Sequence, residues 1–366
     1  MTYVIFFIYT SILTSLLFRS RSTLASSISV SLLLATFAAL RGSEVASDFK
    51  VYEDWYINHD LGEGLLKRPG LFEYLYFLLS GYCSTLGVPF RVFIWIIAFV
   101  AIFIKTKVIA SFAKTDLAFG ISVLIYAFTF YLLHEFTQIR AGIAIAFIFL
   151  AIRELAGGSR INFFLLVVFA AAFHSSATVA LLLLLPYRSA GARWIDWCLY
   201  SITVILVALA ALDITAGAVF FDFLGNFDPR IAHYISLAES DQSEAANPLA
   251  ISAILLLVLA LSLYDIQSNF GNVSNVNERD FCIIILIRRS ILIGLIFLIS
   301  LSSIPELALR FFEISISFLP ILVAIIFSWS RFELQKVQLF FWASVMIFIY
   351  IGRNDGLVQP YVLFFQ

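Results

Sequence analysis

The chain has 366 residues, of which 62% are hydrophobic and only 13% are charged, and its mean hydropathy is +0.99. A soluble domain could not keep this much apolar surface away from water, so the composition excludes a soluble globular protein. The formal net charge of −1 gives no indication of a nucleic-acid partner. We therefore expect an all-α, polytopic transmembrane helical bundle.

A helix needs about 20 apolar residues to cross a bilayer, and the apolar runs of this chain predict about 11–13 spans. In chain order the predicted spans are 2–18, 24–40, 90–106, 117–133, 139–156, 161–173, 175–187, 194–212, 248–264, 287–304, 311–328 and 337–351. No internal sequence repeat is evident, so the chain is predicted to form a single transmembrane domain, 1–366.

Three apolar segments do not follow this simple pattern. Residues 71–88 begin near Glu73 and contain two glycines, so they predict either a span or a helix lying at the interface. Residues 161–187 form one apolar run interrupted at His174, and we expect two short helices that meet there. Arg288 and Arg289 interrupt the run 281–301, so the span 287–304 is predicted to start near them.

The orientation follows from lysines and arginines in short loops, which favour the cytoplasm. Lys105 counts among these cytoplasmic charges in the predicted topology. Two long loops, 41–70 and 213–247, then lie on the opposite side, and both are rich in aspartate and glutamate. We expect these outer loops to contribute to the face that carries the active site.

Isolated charges that interrupt apolar segments can all lie at this outer face. They are Arg41, Asp48, Glu73, Arg140, His174, Arg230 and Arg310. Charges at such positions are costly, so their clustering is a functional-site hypothesis. The four arginines match the needs of a diphosphate, since guanidinium groups bind phosphate oxygens in a bidentate manner. Arg140 also begins the predicted helix 139–156, and helix N-termini bind anions.

The acidic residues and the histidine are candidates for a general base. A hydroxyl acceptor requires one, and Asp48, Glu73 and His174 are the available groups. Each also has a structural explanation: a solvated loop for Asp48, the helix dipole for Glu73 and a buried core position for His174. The segment from His134 to Gln138 resembles the HExxH zinc motif but lacks its second histidine, so no metal site is predicted.

These motifs, in this order, resemble the EpsG-type family of bacterial polysaccharide polymerases, the group that includes many Wzy O-antigen polymerases. The resemblance covers most of the chain, and it is carried by Arg41, Asp48, Tyr52, Glu73, Arg140, His174, Arg230, Tyr234, Arg310 and Tyr361. It implies a GT-C-like membrane glycosyltransferase architecture. It also implies that Tyr52, Tyr234 and Tyr361 contact the substrate.

The family resemblance implies a periplasmic reaction at the bacterial inner membrane. The growing glycan is transferred from undecaprenyl diphosphate to a new lipid-linked repeat unit. This reaction needs no nucleotide sugar, and we expect neither a metal nor another cofactor. The implied partners are the undecaprenyl-diphosphate-linked oligosaccharide and membrane lipid, with a chain-length regulator protein as a further candidate.

Three other functions share the same chemistry. A lipid-linked oligosaccharide flippase would also need arginines in its cavity, but its polar residues should follow the whole transport path. A glycosyltransferase that uses a polyprenyl-phosphate sugar would present paired acids in the first outer loop, as Glu44, Asp48, Glu53 and Asp54 do. An O-antigen ligase would differ from a polymerase mainly in its acceptor.

Overall fold

The computed structural model describes residues 2–19, 23–46, 48–58, 74–187, 192–212, 247, 249–268, 277–329 and 333–352. Within these ranges the regular elements are all helical, as predicted. In chain order the α-helices are α1 (Thr2–Arg19), α2 (Thr23–Ala39), α3 (Phe49–Ile57), α4 (Tyr74–Thr85), α5 (Phe90–Ala110), α6 (Asp116–Tyr126), α7 (Ile139–Ala156), α8 (Arg160–Phe173), α9 (Ala192–Ala211), α10 (Ile251–Ser268), α11 (Glu278–Ser300), α12 (Pro305–Ile316), α13 (Leu319–Ser328) and α14 (Glu333–Gly352). A π-helix, Ala127–Tyr131, extends α6, and a 3₁₀-helix, Ser175–Leu184, follows α8.

The polytopic, all-α prediction is confirmed. Four helical segments in the described ranges are long and apolar enough to cross a membrane: Phe90–Ala110, Ala192–Ala211, Glu278–Ser300 and Pro305–Ser328. Five shorter apolar helices accompany them. The count of 11–13 crossings stays a prediction.

Two local predictions agree closely with the structure. The predicted span 139–156 has the same bounds as α7. The apolar run 161–187 breaks at His174, whose extended backbone (φ −153°, ψ 117°) separates α8 from the 3₁₀-helix. Short helices on both sides of the histidine were expected because neither half is long enough for a full crossing.

Three segments differ from the prediction or extend it. Helix α4 has 12 residues and is therefore only about 18 Å long, which is too short to cross a bilayer alone. The span predicted to start near Arg288 instead lies in α11, which begins at Glu278 and continues through both arginines. The predicted span 311–328 is divided between α12 and α13.

The described chain forms two compact units. Unit 1 contains the helices up to Thr178 and those from Leu319 onward, and unit 2 is Val179–Phe318. In unit 1, α2 packs along α5, and Trp95 Nε1 donates to Thr36 Oγ1 at 3.1 Å. Helices α7 and α8 are antiparallel neighbours joined by a short turn in which Gly158 has a φ of +96°, a conformation that favours glycine.

Helix α11 is the centre of unit 2, because α9, α10 and α12 all pack against it. A Cβ atom added to Gly294 would lie 2.7 Å from Ser315 Cβ, so glycine permits the close approach of α11 to α12. Ser290 Oγ of α11 donates to the Ser315 carbonyl at 2.6 Å and reinforces this contact.

Candidate functional site

Arg41 follows the C-terminal end of α2 and is completely buried in unit 1. Its guanidinium carbon lies 4.6 Å from the ring centroids of both Phe49 and Phe136, and its Nη1 donates to the Ala38 carbonyl. The neighbouring Arg91 donates to the Arg41 carbonyl at 2.6 Å. Arg41 is therefore held as a fixed charge between two aromatic rings, a cation–π arrangement that is strongest where water is excluded.

Arg140 lies in the first turn of α7 and is only half-buried. Its guanidinium carbon is 5.6 Å from the Tyr52 ring centroid and 5.3 Å from that of Trp55. The structure thus brings two predicted site residues, Arg140 and Tyr52, into contact. Of the two arginines, Arg140 is the one with a solvent-accessible surface from which it can bind an anion.

Helix α3 presents an aromatic face to both arginines. Phe49, Tyr52 and Trp55 recur every three residues, which aligns them along one side of a helix. Phe49 contacts Arg41, and the other two rings contact Arg140. One short helix therefore connects the two cations that the sequence analysis assigned to the substrate diphosphate.

Tyr76 of α4 lies next to the same cluster. Its ring centroid is 5.9 Å from that of Tyr52. Burial raises the pKa of the Tyr76 hydroxyl and Tyr52 adds to this, whereas Arg140 and Arg41 lower it. Tyr76 was not singled out from the sequence, where its only signal was an aromatic residue close to Glu73.

Asp48 precedes α3 at the N-cap position, but its side chain makes no capping hydrogen bond. Its backbone carbonyl accepts from the Tyr52 amide at 3.1 Å, which confirms that these residues are one helical turn apart. A carboxylate at this position is favoured by the helix dipole. The predicted base thus lies on the helix that contacts Arg41 and Arg140.

His174 is buried, with 6% of its surface exposed. It follows the last residue of α8, and α8 is antiparallel to α7, so His174 lies at the same end of this helix pair as Arg140. Rings on the two helices confirm the alignment: Phe147 stacks on Phe173 with centroids 5.7 Å apart. Phe173 is thus level with Phe147, about two turns from Arg140, and His174 lies towards the Arg140 end of the helix pair.

A second buried polar cluster lies beside these residues. Glu135 pairs with Lys105, each side chain being 1% exposed, and the Tyr126 hydroxyl lies next to the carboxylate. Burial, followed by the charges of Lys105 and His174, holds the pKa of the His134 imidazole well below its ordinary range. His134 is therefore neutral at physiological pH and is close to His174.

The π-helix Ala127–Tyr131 leads into the turn 132–138 that carries this cluster. π-Helical turns are frequent at functional sites because the extra residue redirects side chains. A Cβ atom on Gly142 would lie 3.2 Å from the His134 carbonyl carbon, so the turn packs closely on the start of α7. The sequence analysis considered His134 and Glu135 only as a zinc motif. Lys105 was counted as a cytoplasmic charge near the end of the predicted span 90–106, and it lies inside α5, where it is buried.

The other predicted residues have different outcomes. Arg310 belongs to unit 2, where it is half-buried on α12. Glu73, Arg230, Tyr234 and Tyr361 lie outside the described residues. Among the residues that are described, no three histidine, cysteine, aspartate or glutamate side chains come together as metal ligands would.

The arrangement in unit 1 combines cations, aromatic rings and titratable groups. Guanidinium groups suit phosphate oxygens, and aromatic rings offer flat surfaces on which sugar rings pack. Of the bases predicted from the sequence, Asp48 and His174 are the two that the structure describes, and each can accept a proton from a hydroxyl. The cluster can therefore bind an anionic sugar derivative and remove a proton from it.

The family model described as the EpsG family matches residues 23–363. No curated protein and no solved structure shows a significant match to the chain. The family match includes all ten residues on which the sequence resemblance was based. The match extends over most of the chain, and the chain therefore belongs to the EpsG family.

Proposed function

We propose that this protein is a polysaccharide polymerase of the bacterial inner membrane. It transfers a growing glycan from undecaprenyl diphosphate to a new undecaprenyl-diphosphate-linked repeat unit at the periplasmic face. Membership of the EpsG family supports a polymerase-like glycosyltransferase role. The substrate, the lipid carrier and the side of the membrane are our inference from the chemistry of the site.

The observation that carries the proposal is the position of Arg140. Its half-buried guanidinium lies at the N-terminus of α7 against Tyr52 and Trp55, while Arg41 adds a second, fixed positive charge to the same cluster. A diphosphate leaving group gains negative charge as the glycosidic bond breaks. Preorganised cations at a helix N-terminus stabilise that charge.

The transfer requires one bond to form and one to break. The acceptor hydroxyl attacks the anomeric carbon of the donor glycan, and the carbon–oxygen bond to the diphosphate breaks with its electron pair leaving on oxygen. The hydroxyl proton passes to a base, for which we propose His174, Asp48 or Glu73. His174 lies towards the Arg140 end of the α7–α8 pair, and Asp48 lies one turn from Tyr52, a ring that Arg140 contacts.

The remaining predicted residues complete the proposed site. Arg230 would bind the second phosphate or the second lipid-linked unit, and Tyr234 and Tyr361 would contact the sugars. For Arg310, on α12 of unit 2, binding of the diphosphate stays a prediction from the sequence. Tyr52 would pack against a sugar ring beside the diphosphate, as its contact with Arg140 favours.

The test uses purified protein in detergent and a lipid-diphosphate-linked repeat unit, without nucleotide and with a chelator. We expect a product ladder with repeat-unit spacing. Absence of a ladder, together with movement of the lipid across a proteoliposome bilayer, would establish a transporter instead. Transfer only to an added lipid A acceptor would establish a ligase.

A further inference from the structure

A groove of about 720 Å³ opens between α9 and α10 of unit 2. Its lining is contributed by both helices and consists of Trp197, Tyr200, Ser201, Val204, Ile205, Leu261, Ser262 and Tyr264. Three aromatic rings crowd one end, where Tyr264 lies 5.5 Å from Trp197 and 5.7 Å from Tyr200. The opposite end is aliphatic, so the groove has an aromatic and an aliphatic part.

The aromatic end lies close to the helix termini. Trp197 is in the second turn of α9, and Tyr264 is one turn before the end of α10. Tryptophan and tyrosine are enriched at the level of the lipid headgroups. The groove therefore runs from the headgroup level, at its aromatic end, towards the acyl region, at Val204, Ile205 and Leu261.

A buried charged cluster lies at the aromatic end. Asp196 pairs with both Arg288 and Arg289 at 2.6 Å, so this buried cluster holds two cations and one anion. The Arg288 guanidinium carbon is 5.3 Å from the Tyr264 centroid and 6.0 Å from that of Tyr200, both of which line the groove. Tyr200 is fixed there, because its hydroxyl donates to the Ala260 carbonyl at 2.6 Å.

The exposed Arg193 adds a further cation at the start of α9. Its spacing of four residues from Trp197 and eight from Ser201 places it on the groove side of the helix. An amphiphile with its anionic group at Arg193 would therefore extend its apolar chain along Val204 and Ile205. Basic pockets between transmembrane helices at the headgroup level recognise anionic lipid headgroups in this way.

We infer that the groove between α9 and α10 is a binding site for an anionic phospholipid. Its phosphate contacts Arg193 within the positive potential of the Arg288–Asp196–Arg289 cluster, and one acyl chain lies in the groove. This site is in unit 2 and is independent of the polymerase reaction proposed for unit 1.

The inference can be tested with the full-length protein in nanodiscs of phosphatidylcholine. A small fraction of the lipid is replaced either by brominated phosphatidylglycerol or by brominated phosphatidylcholine, and quenching of tryptophan fluorescence is recorded. The chain has six tryptophans, so the Trp197 signal is the difference between the wild type and Trp197→Phe. We expect the anionic probe to quench Trp197 at a several-fold lower fraction than the neutral one.

Arg193→Gln should lower this preference about fivefold, the effect of one basic residue near a membrane surface. The matched control is Arg160→Gln, which removes another exposed arginine that begins an apolar helix. Equal quenching by both lipids would overturn the inference, as would a preference that Arg193→Gln leaves unchanged. If neither lipid quenched Trp197, the groove would be covered by protein, either another segment of this chain or a second copy of it. That result would also overturn the inference.

Discussion

Lys105 and Glu135 form an ion pair in the interior of unit 1, although they are 30 residues apart in the chain. The Lys105 ammonium also lies 5.7 Å from the Tyr126 ring centroid. Glu135 is followed by Phe136, the ring against Arg41, and the same turn leads to Arg140. The ion pair therefore anchors the segment that connects the two cations of the proposed diphosphate site.

Removing one partner of this pair should destabilise the protein strongly. Glu135→Gln leaves a buried ammonium without its carboxylate, which costs about 3–5 kcal/mol in comparable sites. The double substitution Lys105→Met with Glu135→Met should cost much less, because no uncompensated charge remains. Denaturant unfolding in detergent measures both values.

The exposed pair of Lys336 and Glu333 on α14 is the matched control. Lys336→Met should change the stability by at most about 0.5 kcal/mol, since exposed pairs contribute little. If Glu135→Gln behaved like Lys336→Met, the buried ion pair would not be the anchor of the turn.

Arg140→Ala should abolish polymer formation while the protein still inserts into the membrane at normal levels. Loss of a charge-stabilising donor in a preorganised site typically lowers kcat by about 10²–10³-fold. Arg140→Lys keeps the charge but loses the bidentate geometry, so it should restore only part of the activity. Wild-type polymer levels in cells that carry Arg140→Ala would rule out its diphosphate role.

The ring of Tyr52 should matter more than its hydroxyl. Tyr52→Phe keeps the aromatic face against Arg140, whereas Tyr52→Leu removes it. A cation–π contact is worth about 0.5–2 kcal/mol, so the leucine variant should show an approximately 2- to 30-fold lower kcat/KM. Equal activities of the two variants would assign Tyr52 a different role.

The neutral state of His134 gives a pH dependence with a defined sign. Burial lowers the pKa of the His134 imidazole in the folded protein. As the pH falls below about 6.5, this imidazole is therefore protonated in the unfolded chain but not in the folded one. The stability contributed by neutral His134 is thus present above that pH and is lost on acidification. His134→Leu should become more stable relative to the wild type between about pH 6.5 and 5.5, by up to about 1.4 kcal/mol per pH unit.

Thermal unfolding midpoints of both proteins, measured in detergent across that range, test this expectation. The phenyl ring of Phe130, which stacks on His134 with centroids 6.0 Å apart, gives the leucine side chain an apolar neighbour. Parallel pH profiles for the two proteins would show that His134 takes up the same number of protons in both states.

Local sequence patterns were sufficient for much of the fold. The run 139–156 alone defines α7, and the polar interruption at His174 breaks the next apolar run. These features depend on neighbouring residues, because hydrophobic length and local breakers act within a few turns of a helix. The contact between Arg140 and Tyr52 joins two motifs that the sequence analysis had already selected.

Features that depend on distant partners could not be predicted. Arg288 and Arg289 indicated a span boundary, yet they lie inside α11 because Asp196 of α9 pairs with them. The burial of Lys105 could not be predicted either, since its partner Glu135 is far away in the chain. No residue pattern in the sequence predicts the π-helix Ala127–Tyr131 that precedes the turn carrying Glu135.

The most direct test of the account is the polymerisation rate of the purified wild type, Arg140→Ala and His174→Ala, with Arg160→Ala as the control on a neighbouring helix. The substrate is the lipid-diphosphate-linked repeat unit, and the readout is the product ladder. We predict that the wild type and Arg160→Ala form the ladder at similar rates, while Arg140→Ala is at least about 100-fold slower. A comparable loss in His174→Ala would identify His174 as the base, whereas a wild-type rate would leave Asp48 or Glu73. A ladder formed at the wild-type rate by Arg140→Ala would contradict the proposed site.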